Sequence, residues 1–190
     1  MEADWEIEIG GQAPVIEACW PGFVDLRFAP GRVVELPELR ELSGLADSLV
    51  RLNAGDSPVW TSRCDVWPVT EIDPFELDAP PEFALIGLAC YVDLLPKSDQ
   101  QWPAPAIAAR SCKALCVRLR NLPMRCCRVD LVIRRAYIAP DRPNLGITAY
   151  LTACGPTVEA ANLQLQSALA VFADSISHAV SPAVNCSKLK

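Results

Sequence analysis

Four short apolar stretches each set an aspartate between hydrophobic neighbours: FVDLRF (23–28), SRCDVW (62–67), YVDLLP (91–96) and CRVDLVIRR (127–135). Aspartate is disfavoured in strands, so its recurrence there demands a place away from the core. Strand side chains alternate between two faces, and each stretch divides accordingly. Val24, Leu26 and Phe28 oppose Phe23, Asp25 and Arg27, while Trp60, Cys64 and Val66 oppose Arg63, Asp65 and Trp67. Val92 and Leu94 oppose Tyr91 and Asp93; Val129, Leu131 and Ile133 oppose Arg128, Asp130, Val132 and Arg134. The pattern predicts a sheet with one apolar face for helices and one mixed face of carboxylates, guanidiniums and aromatics.

WEIEI (5–9) alternates as well, and Gly10-Gly11 predicts a turn into a second strand, an N-terminal hairpin. Helical periodicity runs over 37–52, with Leu39, Leu42, Ala46, Leu49 and Val50 on one side. It returns over 104–122, with Ile107, Cys112, Leu115, Cys116 and Leu119 inward. Strands are expected at 59–67, 83–96 and 127–138. The order strand–helix–strand thus occurs twice, over 15–67 and 83–138. FVDL aligns with YVDL, SLVRL (48–52) with LCVRL (115–119), and RCDVW with RVDLV. Two β-α-β units in series predict an α/β (α+β) fold: a duplicated, ferredoxin-like antiparallel sheet with helices on one face. In that arrangement Asp25 and Asp93 lie side by side on central strands, which calls for compensation by Arg27, Arg63 or Arg128, or by a bound cation.

A further strand over 145–154 and a helix over 157–178 extend this core. That helix carries few charges on any side, which predicts burial on more than one side, and it could cover part of the polar face. Residues 1–180 are expected to form one domain and 181–190 a flexible tail. The proline-rich acidic stretch EIDPFELDAPPE (71–82) reads as an extended connector between the halves. It could also dock a basic partner or loosely hold calcium, although its carboxylates lack the spacing of a calcium loop.

Charge and motifs narrow the function classes. A net charge of −6 and a pI near 4.8 argue against nucleic acid and anionic membranes as partners. MEADWEIE lacks the basic and apolar regions of an export signal, and no apolar run approaches the roughly 20 residues of a membrane span. A cytoplasmic location is expected. Nine cysteines without a C-x-x-C pair read as reduced thiols, with Cys112 and Cys116 packed in the core, and no cofactor is expected. His178, the single histidine, falls in the last turn of the final helix, where it would complement the helix dipole. It leaves no histidine cluster and no Ser-His or Cys-His couple, and the common nucleotide-binding and hydrolase motifs are absent. Cys154 in TACGPT (152–157) is the remaining weak catalytic candidate, a thiol just before a helix N-terminus. The competing reading is a small buried residue, with Thr157 as N-cap.

The leading expectation is a non-enzymatic protein-binding module, a neutralising or regulatory partner protein. Its face would use Asp25, Arg27, Arg63, Asp65, Trp67, Tyr91, Asp93, Arg128, Asp130 and Arg134. A protein of basic character is the candidate partner, with a second copy of the chain as another. The alternative is a small-molecule binder or enzyme centred on Asp25 and Asp93 or on Cys154. The plainest reading is a solvated face whose ion pairs are worth roughly 0–1 kcal/mol each.

Overall fold

A six-stranded mixed sheet with helices on one face organises the computed structural model, which describes residues 1–18, 20–80, 86–99, 101–139 and 142–178. The strands are β1 (Glu2–Glu8), β2 (Ile16–Glu17), β3 (Val59–Val69), β4 (Ile86–Pro96), β5 (Cys127–Ala139) and β6 (Arg142–Gly155). The helices are α1 (Leu45–Asn53), α2 (Pro105–Arg120) and α3 (Val158–His178). Strand order is β1-β5-β6-β4-β3, and β2 also pairs with β5. Both N-terminal strands run parallel to β5, whereas β5–β6, β6–β4 and β4–β3 are antiparallel.

The alternation read from β4 and β5 holds. Cys90, Val92 and Leu94 of β4, Val129, Leu131 and Ile133 of β5, and Ile147, Ala149, Leu151 and Ala153 of β6 enter one buried cluster. The inner faces of α1, α2 and α3 enter it too: Leu45, Leu49 and Leu52; Cys112, Leu115, Cys116 and Leu119; Leu165, Leu169, Phe172 and Ile176. The long final helix touches both α1 and α2 and lies over β6 and β4. Its two-sided burial comes from this middle position in the helix layer, on the side away from the aspartates. Gly155 closes β6 against the first turn of α3, where an added Cβ would meet the Ala160 Cβ and the Ala161 nitrogen at 2.8 Å. Gly155→Ala is expected to destabilise the protein by about 1–3 kcal/mol in urea titrations, because backbone must shift.

The structure departs from expectation mainly in the first half, and the ferredoxin-like duplication is not confirmed. FVDLRF forms no strand. Residues 23–28 are irregular, and Asp25 closes a local loop by accepting from the Arg27 backbone N–H at 3.0 Å and from its guanidinium at 2.7 and 2.9 Å. Asp25 therefore does not sit beside Asp93 on a neighbouring strand. The helix expected over 37–52 begins as a 3-10 turn, Pro37–Arg40, which follows another at Pro30–Glu35, and becomes α-helical only at Leu45. Pro37 opens the run as a 3-10 turn and Gly44 caps α1, so the periodicity is not one continuous helix. The N-terminal hairpin is also corrected: β1 and β2 each pair with β5, not with each other. The start of the strand expected at 83–96, the tail 181–190, and the side chain of His178 lie outside what is described.

A bulge in β3 shifts the faces of that strand. Thr61 pairs with Leu94 and Cys64 with Val92, so Ser62 and Arg63 together oppose Asp93. An extra residue reverses alternation. Trp60 consequently lies on the polar side with Leu95, Ile16 and Ala136, and Thr61 takes the helix-facing place expected for Trp60. Asn53 at the end of α1 pins the bulge: its side-chain amide donates to Thr61 Oγ1 at 2.7 Å, and its carbonyl accepts from the Thr61 N–H at 3.1 Å.

Candidate functional site

The sheet face opposite the helices is covered at its two ends. At one end β2 and the chain after it pass over Leu95 and Trp60 with Ile16 and Phe23; the Ile16 Cδ1 comes so close to Gly146 that a Cβ there would clash at 2.7 Å. At the other end Ile72, Leu77 and Ala79 of the acidic connector pack against Cys126 and Cys154. Between the two lies a surface built from β1, β5, β6, β4 and β3. The ladder registers set Asp4, Asp130, Tyr150, Tyr91 and Asp65 in one row across it. The next row runs Glu6, Val132, Thr148 and Asp93, ending at the bulge.

Three aromatic side chains occupy the middle. Trp67, Tyr91 and Tyr150 come from three adjacent strands with ring centroids 5.9–6.5 Å apart, tilted or edge-on. Each is half-buried, and Asp65 beside them is exposed. Arg128 Nε donates to both Asp130 oxygens at 2.8 Å. Arg134 bridges strands: it donates to Glu8 Oε2 on β1, to Thr148 Oγ1 and Tyr150 Oη on β6, and lies 5.6 Å from the Tyr150 ring centroid. The Thr148 hydroxyl then donates to Asp93 Oδ1 at 2.6 Å. A continuous polar chain, Glu8–Arg134–Thr148–Asp93, thus crosses four strands.

Asp93 is the costly member. It is 7% exposed, and burial pushes its carboxyl above the ordinary range against the pull of the Thr148 hydroxyl and the Arg134 and Arg63 guanidiniums. Burial, then Asp93 and Asp65, push the Tyr91 phenol up to about 12. A carboxyl whose folded pKa exceeds its unfolded one binds its proton more tightly in the folded state. The stability it contributes is fully present in acid and is lost as pH rises through the folded pKa. Asp93→Asn keeps the oxygen that accepts from Thr148 and removes the buried charge. It is expected to raise the urea midpoint at pH 7 and to lose that advantage below pH about 4.

Of the ten residues expected on the face, Asp65, Trp67, Tyr91, Asp93, Arg128, Asp130 and Arg134 come together. Arg63 stands at the rim, turned by the bulge over the Trp20 ring (4.7 Å) and toward Glu17. Asp25 and Arg27 do not join them. They pair with each other at the covered end, where Arg27 stacks 3.8 Å from the Trp60 ring centroid. Hydrogen bonding by Arg27 holds the Asp25 carboxyl below its usual range. Cys154 is 1% exposed, and burial and the Cys126 thiol raise it to about 11, the opposite of an activated nucleophile. Thr148, Tyr150 and Glu8 were not anticipated. Their signal was present in the alternation T-A-Y-L-T (148–152) and in WEIEI, read there as extension strands.

Beside the bulge a cleft of about 320 Å³ is lined by Trp20, Glu38, Ser62, Arg63, Cys64 and Tyr91, among others. One carboxylate oxygen of Glu38 is buried there without a hydrogen-bond partner among the described residues. Among the described residues no group of three or more His, Cys, Asp or Glu side chains is placed to hold a metal ion, and no helix is long and apolar enough to cross a membrane. Comparison with protein-family models, curated proteins and solved structures finds no match to this chain.

Proposed function

We propose that the chain is a cytoplasmic, non-enzymatic protein-binding module that engages a protein partner through the sheet face between its two covered ends. The observation that carries this reading is the aromatic group Trp67, Tyr91 and Tyr150, half-exposed at the centre and flanked by arginines already oriented by carboxylates. Tryptophan, tyrosine and arginine dominate the energetics of protein interfaces, and side chains held in place lose little entropy on binding. The orphaned Glu38 oxygen and the exposed Asp65 favour a partner that brings a basic side chain to the rim. A neutralising or regulatory role suits such a surface.

Affinity capture from native cytosol tests this reading, with wild type compared against Asp65→Arg on the face and Asp25→Ala off it. The wild type and Asp25→Ala should retain one specific protein that Asp65→Arg loses. Equal capture by all three, or a stoichiometric metabolite released from the purified protein, overturns the reading. A second reading, small-molecule binding or acid catalysis at Asp93, is favoured by one feature: a buried carboxyl held above its ordinary range, accepting from Thr148 near the Arg134 and Arg63 guanidiniums and the Tyr91 phenol. That reading requires Asp93→Asn to abolish the activity, whereas the binding module requires only the aromatic surface above it.

A further inference from the structure

At the connector-covered end of the sheet, two cysteines face one another. Cys127 is paired with Ala153 in the β5–β6 ladder, so the next position outward sets Cys126 against Cys154. The Cys154 N–H donates to the Cys126 carbonyl at 3.0 Å, and the Cys126 thiol lies close enough to push the Cys154 thiol up. Directly opposed residues on antiparallel strands have Cα atoms about 4.5–5.5 Å apart, within the span of a disulfide. Cys126 holds φ at 58°, left-handed backbone that a residue with a Cβ adopts at a cost. Cys127, by contrast, points into the main core. Ile72, Leu77 and Ala79 pack on the Cys126–Cys154 pair, and the Arg125–Asp78 ion pair at 2.9 Å ties that connector to the residue preceding Cys126.

We propose that Cys126 and Cys154 form a dithiol site that closes to an intramolecular disulfide by exchange with a small disulfide of the glutathione class. Cys126 is the half-exposed member and Cys154 the buried one, which orders the steps. The Cys126 thiolate bonds to one glutathione sulfur, the glutathione S–S bond breaks, and the departing thiolate takes up a proton. Cys154 then loses its proton to solvent, and its sulfur displaces the second glutathione from Cys126. Two protein thiols are oxidised and one glutathione disulfide is reduced to two thiols. The bond would fasten the entry of β5 to the exit of β6, beside Arg128 and Asp130 of the sheet face. Oxidation state would then act directly on the connector bordering that face.

The test treats the folded full chain with excess oxidised glutathione, alkylates the remaining thiols and maps the peptides by fragmentation. The expected product has lost two hydrogens and carries a Cys126–Cys154 link, which Cys126→Ser abolishes and Cys112→Ser retains. A glutathione adduct that persists on Cys126, a Cys126–Cys127 link, or full alkylation of both cysteines overturns the proposal. Should Cys126→Ser fold poorly, the wild-type map alone decides between these outcomes.

Discussion

Phe172→Ala is expected to lower stability by about 3–5 kcal/mol, a large part of the roughly 5–15 kcal/mol that holds an ordinary domain folded. Phe172 is fully buried at 0% exposure on the core-facing side of α3. Its cluster joins Leu165, Leu169 and Ile176 of the same helix to strands β4, β5 and β6 and to α1 and α2. Removing the ring leaves a cavity bordered on both sides by elements too tightly packed to collapse into it. Leu163 on the same helix is 67% exposed, and Leu163→Ala should change stability by about 0.5 kcal/mol or less. Urea titrations of the two variants read the contrast. A small loss for Phe172→Ala would mean that α3 is not the central member of the helix layer.

Trp67→Ala is expected to weaken partner binding by at least about 30-fold, corresponding to roughly 2 kcal/mol for a central aromatic anchor. Trp67 touches both tyrosines, at 6.2 Å from Tyr91 and 6.5 Å from Tyr150. Its truncation therefore removes contact area and releases the two rings it props. Tyr150→Phe separates two contributions, because it keeps the ring and removes only the oxygen that accepts from Arg134 at 3.0 Å. A loss of about threefold to tenfold is expected there, with Arg134 still held by Glu8 and Thr148. Calorimetric titration with the captured partner measures both. Fold integrity is checked independently, since Trp67 belongs to neither main core cluster.

The sheet was legible wherever alternation was sustained and paired. β4 and β5 run for 11 and 13 residues, long enough for the period-2 pattern to fix which side each of Asp93 and Asp130 occupies. FVDLRF has the same alternation over six residues but no neighbouring strand to take its hydrogen bonds. Asp25 and Arg27 instead satisfy each other locally, and Pro21 before and Pro30 after limit any ladder. The bulge at Ser62 and Arg63 leaves no mark in composition, so uninterrupted alternation puts Trp60 on the helix face, whereas it lies at the covered end of the polar one. Local pattern makes β6 an extension to the sheet and gives Tyr150 no place on its face. The insertion of β6 between β4 and β5 makes it central, and that placement depends on pairing between distant segments, which no local pattern reports.

Asp93 and Asp130 each hold a group on the polar face. Asp130 orients Arg128, and Asp93 anchors Thr148, which in turn receives Arg134. The carboxylates hold the groups that face outward. Asp93 does so against its own desolvation, a local conflict of the kind proteins tolerate where a surface is used.

Oxidative footprinting of the purified protein, alone and saturated with the captured partner, tests the binding face most directly. Trp67, Tyr91 and Tyr150 should be modified in the free protein and protected together in the complex, while exposed Phe28 and Phe75 and the outlying Tyr137 react equally in both. Protection confined to Phe28, Phe75 or Tyr137, with the three central rings unchanged, would contradict the assignment of binding to this face.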